Sequence, residues 1–239
     1  MKIQLNLLVG CVGFAFLAGS SQVASAADVT GKITLKGTAP PAAVYDASKS
    51  DPNCGKIRTE PAKSRAFVVG AGGELADVVI YIKEGVPAKT YDVPAKEVVL
   101  DQVGCEYVPY VFAFQTGQKV AIKNSDPVLH NVNCTTKSNK PFNQAQIGKG
   151  PDLVKTFDTP EIFIPFQCNV HPWMFSYGSA FNHPYFAVSG ADGTYKISNL
   201  PAGKYTIEAS HRKAGKASKE ITVGGDNQTV DFTLELKPQ

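Results

Sequence analysis

Short runs of Val, Ile, Tyr and Phe, each broken within a few residues by Gly, Pro, Asn or Asp, recur from Val29 to Leu236. Apolar residues almost never return at the three-to-four spacing of an amphipathic helix, which confines the chain to an all-β architecture. The runs predict strands at Val29–Leu35, Val78–Ile82, Val98–Leu100, Lys119–Lys123, Ile162–Phe166, Tyr195–Ile197, Tyr205–Ala209 and Thr229–Leu236. Asp192-Gly193 and Gly224-Gly225-Asp226 supply the positive φ that tight connections need, and Pro201-Ala202-Gly203 punctuates a meander. Strands this short and evenly spaced suit packed β-sandwiches.

Two polar stretches interrupt the pattern. Thr38–Ser64, rich in Pro, Ala, Ser, Lys and Asp and poor in core formers, reads as a loop or linker. Thr135–Gly150 reads as a long surface excursion with room for one short helix.

At the N-terminus Lys2 precedes an apolar stretch, Leu5–Gly19, that leads to Ala24-Ser25-Ala26, the form of a signal peptide over residues 1–26. That apolar core is shorter than the roughly 20 residues a membrane-spanning helix needs. The mature chain is therefore expected to have no transmembrane segment and to be periplasmic or otherwise exported. Leu8-Val9-Gly10-Cys11 offers a second reading, a lipoprotein box acylated at Cys11, although the apolar run before it is short. Without residues 1–26 the chain keeps 213 residues, room for one large β domain or two small ones. Of 24 basic residues only Lys2 is lost, so 23 face 21 acidic ones, a balance that gives no footing for nucleic acid. Four cysteines stay: Cys54, Cys105, Cys134 and Cys168. Export permits disulfides among them, and an even count admits two bridges.

The most informative segment is Phe166-Gln167-Cys168-Asn169-Val170-His171-Pro172-Trp173-Met174, in which a thiol, an imidazole and a thioether recur at intervals of three. One short loop can aim all three inward. A further imidazole stands upstream in Asn124-Ser125-Asp126-Pro127-Val128-Leu129-His130-Asn131. Two imidazoles, a thiolate and a weak thioether form a donor set for electron-transfer copper, since the sulfurs suit Cu(I) while the nitrogens also accept Cu(II). Each residue also has a plainer reading. Cys168 could bridge to Cys134, the histidines could be ordinary polar residues and Met174 could be core filler. Zinc could take two imidazoles and a thiolate, but closed structural zinc sites prefer more Cys or His.

This segment resembles the copper loop of cupredoxins, and its short Cys-x-x-His-x-x-Met spacing is most similar to that of amicyanins. The upstream Asp126-Pro127-x-x-His130-Asn131 resembles their first-ligand turn, and the likeness spans residues 97–186. It implies a type 1 (blue) copper site with His130, Cys168 and His171 as equatorial ligands, Met174 as the axial one and Asn131 bracing the ligand loops. It also implies a one-electron carrier, with a small oxidoreductase or cytochrome as redox partner. In that scheme His171 carries electrons to the surface, and Pro172 and Trp173 form a docking patch or, in the plainer reading, shield the metal. With Cys168 held as a thiolate, a Cys54–Cys105 bridge with Cys134 left free or buried is the expected pairing and Cys54–Cys134 the alternative.

From Ala187 to Leu236 the order of Asp-Gly turns and strands resembles the latter half of carboxypeptidase regulatory-like, transthyretin-type β-sandwiches. About fifty residues make a thin core alone. The missing half is sought in Val29–Leu35 and Asp77–Lys83, which makes residues 27–96 and 187–239 one discontinuous sandwich with the cupredoxin-like domain, 97–186, inserted into it. A simple tandem of the two is the alternative. His183 and His211 read as ordinary polar residues. No Gly-rich phosphate loop, His-Glu-x-x-His or Gly-x-Ser-x-Gly occurs, so the chain reads as a carrier rather than an enzyme. The rival readings are copper storage or delivery, and an adhesion or glycan-binding sandwich with a degenerate copper domain.

Overall fold

The computed structural model describes residues 25–47 and 51–236. The predicted signal segment, with Cys11, lies outside them except for Ser25 and Ala26. In chain order the elements begin with β1 (Ala26–Lys36), β2 (Val44–Tyr45), α1 (Pro52–Ile57), β3 (Ala62–Lys63), β4 (Val79–Glu84) and β5 (Val98–Gln102). There follow β6 (Tyr107–Val108), β7 (Val111–Gln115), β8 (Val120–Asn124), β9 (His130–Cys134), β10 (Phe142–Gln146), β11 (Leu153–Lys155) and β12 (Glu161–Gln167). The last are β13 (Phe175–Phe181), β14 (Phe186–Val188), β15 (Thr194–Pro201), β16 (Gly203–His211), β17 (Gly215–Val223), β18 (Gln228–Thr229) and β19 (Phe232–Glu235). The all-β expectation holds. No described helix is long and apolar enough to cross a membrane.

Four sheets pack as two sandwiches. In the first, the order β10-β9-β12-β13-β7 faces β11-β8-β5-β6. Their inward side chains, among them Leu100, Phe114, Ile122, Ile164 and Phe166, form one buried cluster. In the second, β15-β1-β18, with β19 also paired to β1, faces β14-β4-β16-β17. Val29, Ile33, Ile80, Ile82, Ile207 and Phe232 fill that core. Burying each such side chain contributes about 1.5–3 kcal/mol. Strand alternation is the cause: in β19 the burial runs buried, exposed, buried, exposed, as a half-buried strand requires.

Strand β1 pairs antiparallel with β15 and parallel with β18 and β19. Among the described residues it pairs with no strand between 97 and 186. Gly31 allows this crowding, because a Cβ there would sit 2.0 Å from the Val230 carbonyl oxygen. Strand β4 likewise joins β14 and β16. The two sandwiches meet through Val79, Val111, Tyr177 and Phe181, and the Arg212 guanidinium lies 3.7 Å above the Tyr177 ring.

Both polar stretches carry more structure than their composition suggests. Thr135–Gly150 holds no helix; it returns as β10, paired residue for residue with β9. Alternation is faint there because only Gln146 of β10 is buried. The predicted linker contains β2, α1 and β3, and Ala47, Cys54 and Ala62 sit in the core of the first sandwich. A disulfide between Cys54 and Cys105 anchors this stretch, which is how so few apolar residues hold it in place.

Candidate metal centre

Sheet register explains how His130 reaches the Cys168 loop. β12 and β9 run antiparallel with Phe166 opposite Cys134 and Gln167 opposite Asn133. Continued past the end of β12, the same register sets residues 168–170 against 132–130. The loop then closes on itself: the Met174 N–H donates to the His171 carbonyl at 2.9 Å, and the Cys168 N–H donates to the Met174 carbonyl at 3.2 Å. In the strand after the loop, Gly178 of β13 leaves room for the core rings, since a Cβ there would press within about 3.1 Å of Phe112, Phe114 and Phe166.

His130, Cys168 and His171 converge. The two Nδ1 atoms are 3.0 Å apart, and the Cys168 sulfur is 3.6 Å from Nδ1 of His171. One ligand atom of each residue lies within 4.8 Å of the others, and all three side chains are fully buried. The outer ring nitrogens are committed elsewhere: Nε2 of His130 lies 2.8 Å from Asp126 Oδ2, and Nε2 of His171 lies 3.0 Å from Asp51 Oδ2. An ionised carboxylate only accepts, so each Nε2 carries the hydrogen, and in neutral rings both Nδ1 lone pairs face one another and the sulfur. Lone pairs that close repel unless a proton or a cation lies between them. Nitrogens about 2.0 Å and a sulfur about 2.3 Å from one cation stand at just such separations. The three side chains therefore fit a metal that takes two imidazoles and a thiolate.

Electrostatics favour the same assignment. Burial raises the Cys168 thiol pKa, but contacts from His130 and His171 and the backbone N–H groups of Asn131 and His171 outweigh it and bring it down to about 6. The thiolate is the form that binds metals. Burial opposes charging of both rings, yet Asp126 and Cys168 for His130, and Cys168 and Asp51 for His171, raise them above an ordinary histidine. Asp126 is itself held by the N–H groups of Gly104 and Cys105, at 2.6 and 2.7 Å. By contrast, burial pushes the Cys134 thiol up to about 12.

The surroundings differ from the expected exposed histidine edge. His171 has no solvent-accessible surface, because Asp51 and α1 lie over it and the Cys54–Cys105 sulfurs come within 4.8 Å of its ring. Arg58, just past α1, donates to the Gly104 carbonyl and pairs with Glu106 at 3.2 Å. Trp173 is 9 % exposed, with its indole N–H on the Cys105 carbonyl at 2.9 Å, so its ring is turned into the protein, whereas Pro172 beside it is exposed. The open His171 edge that the resemblance implies is thus absent. Its physical cause is the stretch read from sequence as a linker. Of the disulfide alternatives, Cys54–Cys105 is the one formed, and Cys134 and Cys168 are free and buried.

Met174 is fully buried in the same core as Cys168 and Trp173. Asn131 braces the loops as expected: its Oδ1 accepts from the Asn169 N–H at 3.1 Å, and Tyr107 donates to its carbonyl at 2.6 Å. His183 and His211 join none of these contacts and are buried, their Nδ1 atoms accepting backbone N–H groups at 3.2 and 2.9 Å. Two contributors escaped the sequence reading. Asp126 had a signal, four residues before His130 in the first-ligand turn. Asp51 had none, being 120 residues from His171 inside a polar stretch.

Fold and site together define an all-β protein of two sandwiches, one of which bears a buried His, Cys and His donor set on a cupredoxin-like loop. Residues 179–235, which form most of the second sandwich, match the carboxypeptidase regulatory-like domain family. Among solved structures, similarity extends to a Cu-containing nitrite reductase from Thermus scotoductus SA-01, at 20% identity and TM-score 0.34 over 41% of this chain and 25% of that one. A purple cupredoxin from Nitrosopumilus maritimus matches at 19% identity and TM-score 0.30, covering 37% of this chain and 99% of its own. Amicyanin from Paracoccus versutus matches at 22% identity and TM-score 0.31, covering 42% and 96%. Likenesses at this level carry no argument about function, which rests on the site itself. No curated protein matches the sequence.

Proposed function

We propose that this is an exported type 1 copper protein that carries single electrons, with His130, Cys168 and His171 as equatorial ligands and Met174 as the axial one. The observation that carries the reading is the pair of Nδ1 atoms 3.0 Å apart beside the Cys168 sulfur, with both Nε2 atoms already paired to carboxylates. When bound, copper supplies a one-electron couple, and the soft sulfurs with borderline nitrogens suit both of its oxidation states. The chain's own part is to fix the donors and keep water out. Asp126 and Asp51 set the tautomers, Asn131 ties the two ligand segments together, and Trp173 covers the loop. Burial of the donors favours carriage over delivery, because metal handover would require the covering segment to move whereas an electron would not. The signal-like N-terminus supports export, and a redox protein, an oxidoreductase or cytochrome, is the partner this chemistry calls for.

The domain division belongs to the same proposal. Residues 97–186 form the copper-binding insert, and residues 27–96 with 187–239 form the discontinuous sandwich around it, with Ala47 and the stretch 51–62 packed onto the insert. The pairing of β1 with β15, β18 and β19 supports this over a tandem. Copper titration tests the function. One equivalent should give an intense blue thiolate-to-copper absorption that is lost in Cys168→Ser. Uptake of zinc but no coloured copper form would sink the reading.

A further inference from the structure

The stretch over His171 makes contacts that a surface loop does not need. Asp51 uses both carboxylate oxygens: Oδ1 accepts the Asn53 N–H at 2.7 Å, capping α1, while Oδ2 meets Nε2 of His171 at 3.0 Å. Cys54, buried within α1, is bonded to Cys105, and the next residue of that second segment, Glu106, pairs with Arg58. Cys105 also presents its carbonyl to Trp173 and its N–H to Asp126. One disulfide therefore joins the carboxylate over His171 to the carboxylate behind His130. The two histidines are held alike, each by a carboxylate on Nε2, although the two aspartates come from segments 75 residues apart in sequence.

The geometry points to Asp51 as a positioning residue for the metal centre: carried on a disulfide-tethered cap, it fixes the His171 ring, closes its edge to solvent and biases bound copper toward the oxidised state. The physical argument has two parts. A carboxylate on the far nitrogen of a liganding imidazole fixes its orientation and makes it a stronger donor, and loss of such partners typically costs about 10–100-fold in metal affinity. A stronger, more anionic donor favours Cu(II) over Cu(I), so Asp51 and Asp126 together hold the reduction potential down. Because the cap leaves His171 without accessible surface, ligand exchange at that ring requires the cap to lift. This inference rests on the copper reading above.

The test compares the mature chain with Asp51→Ala, which removes the hydrogen bond and the charge, and Asp51→Asn, which keeps an acceptor and removes only the charge. In copper-free protein, modification by diethyl pyrocarbonate mapped by peptide mass should leave His171 untouched in the parent and in Asp51→Asn, and should rise at least tenfold in Asp51→Ala. With copper bound, release to a chelator should accelerate about tenfold or more in Asp51→Ala and less in Asp51→Asn, and the potential should rise in both. His171 still protected in Asp51→Ala, with copper release within twofold of the parent, overturns the inference. So does an unchanged potential in both variants. Should Asp51→Ala not fold, Cys54→Ala/Cys105→Ala frees the cap without touching Asp51, and unchanged His171 reactivity there overturns the inference equally. A parent protein that takes up no blue copper defeats the carrier reading, while the copper-free accessibility measurement still decides the cap.

Discussion

The two sandwiches each bury histidines, and they treat them in opposite ways. In the second sandwich the His211 Nδ1 is used up by the N–H groups of Lys213 and Ala214, and burial, with the nearby Arg212 charge, brings its pKa down to about 4. His183, at the junction, accepts the Tyr185 N–H and is likewise lowered, mainly by burial. In the first sandwich both rings are raised despite burial, because carboxylates hold their outer nitrogens and a thiolate faces the inner ones. Burial by itself therefore says nothing about function. A structural histidine has its acceptor nitrogen answered by the backbone, whereas at the metal centre the acceptor nitrogens face each other and a sulfur.

The largest expected effect tests whether the two halves stand or fall together. Phe166→Ala in the first core and Phe232→Ala in the second should each cost about 3–5 kcal/mol in urea unfolding. Because Val79, Val111, Tyr177 and Phe181 join the sandwiches, both should unfold in one transition. Two resolved transitions would show independent halves and weaken the contrast drawn above.

Next comes acid. His211 binds its proton with a pKa near 6.5 when unfolded but about 4 when folded, so between those values the unfolded chain holds more protons. Stability is then full above pH 6.5 and falls as pH drops toward 4, by about 3 kcal/mol. Unfolding free energies measured across this window should show a flatter slope in His211→Gln. An unchanged slope would remove His211 from the account.

A smaller effect belongs to Asp126. Asp126→Asn should weaken copper binding by roughly 10–100-fold, read by competition with a chelator, while His211→Gln should leave copper affinity unaltered. Equal losses from both changes would erase the distinction between the two kinds of buried histidine. The smallest effect is expected at the second sandwich's surface. Lys36 and Glu235 pair at 2.9 Å but are both largely exposed, so Lys36→Ala should move the unfolding midpoint by less than about 1 kcal/mol equivalent.

Much of this was legible in the residues. Apolar runs bounded by turn residues mark β1, β4, β8, β12, β16 and β19, and in β1 and β19 they alternate because a strand with one face in a core must. β10 and β13 were harder to see. β10 is an exposed edge strand, and β13, with six of its seven residues buried, has no alternation to show. The Cys168 to Met174 spacing was visible because one loop carries it, so local geometry suffices to aim those side chains.

What the sequence determined by itself is whatever depends on neighbours along the chain: the all-β character, the ligand loop and the turn that presents His130. Tertiary structure alone decided which distant groups meet those donors. It brought Asp51 across 120 residues to His171 and turned an apparent linker into a cover for the site. The reason is physical: a strand's pattern is written in period two by its own core face, but a single carboxylate or thiol leaves no periodic trace, and its partner is fixed only when sheets and loops are packed together.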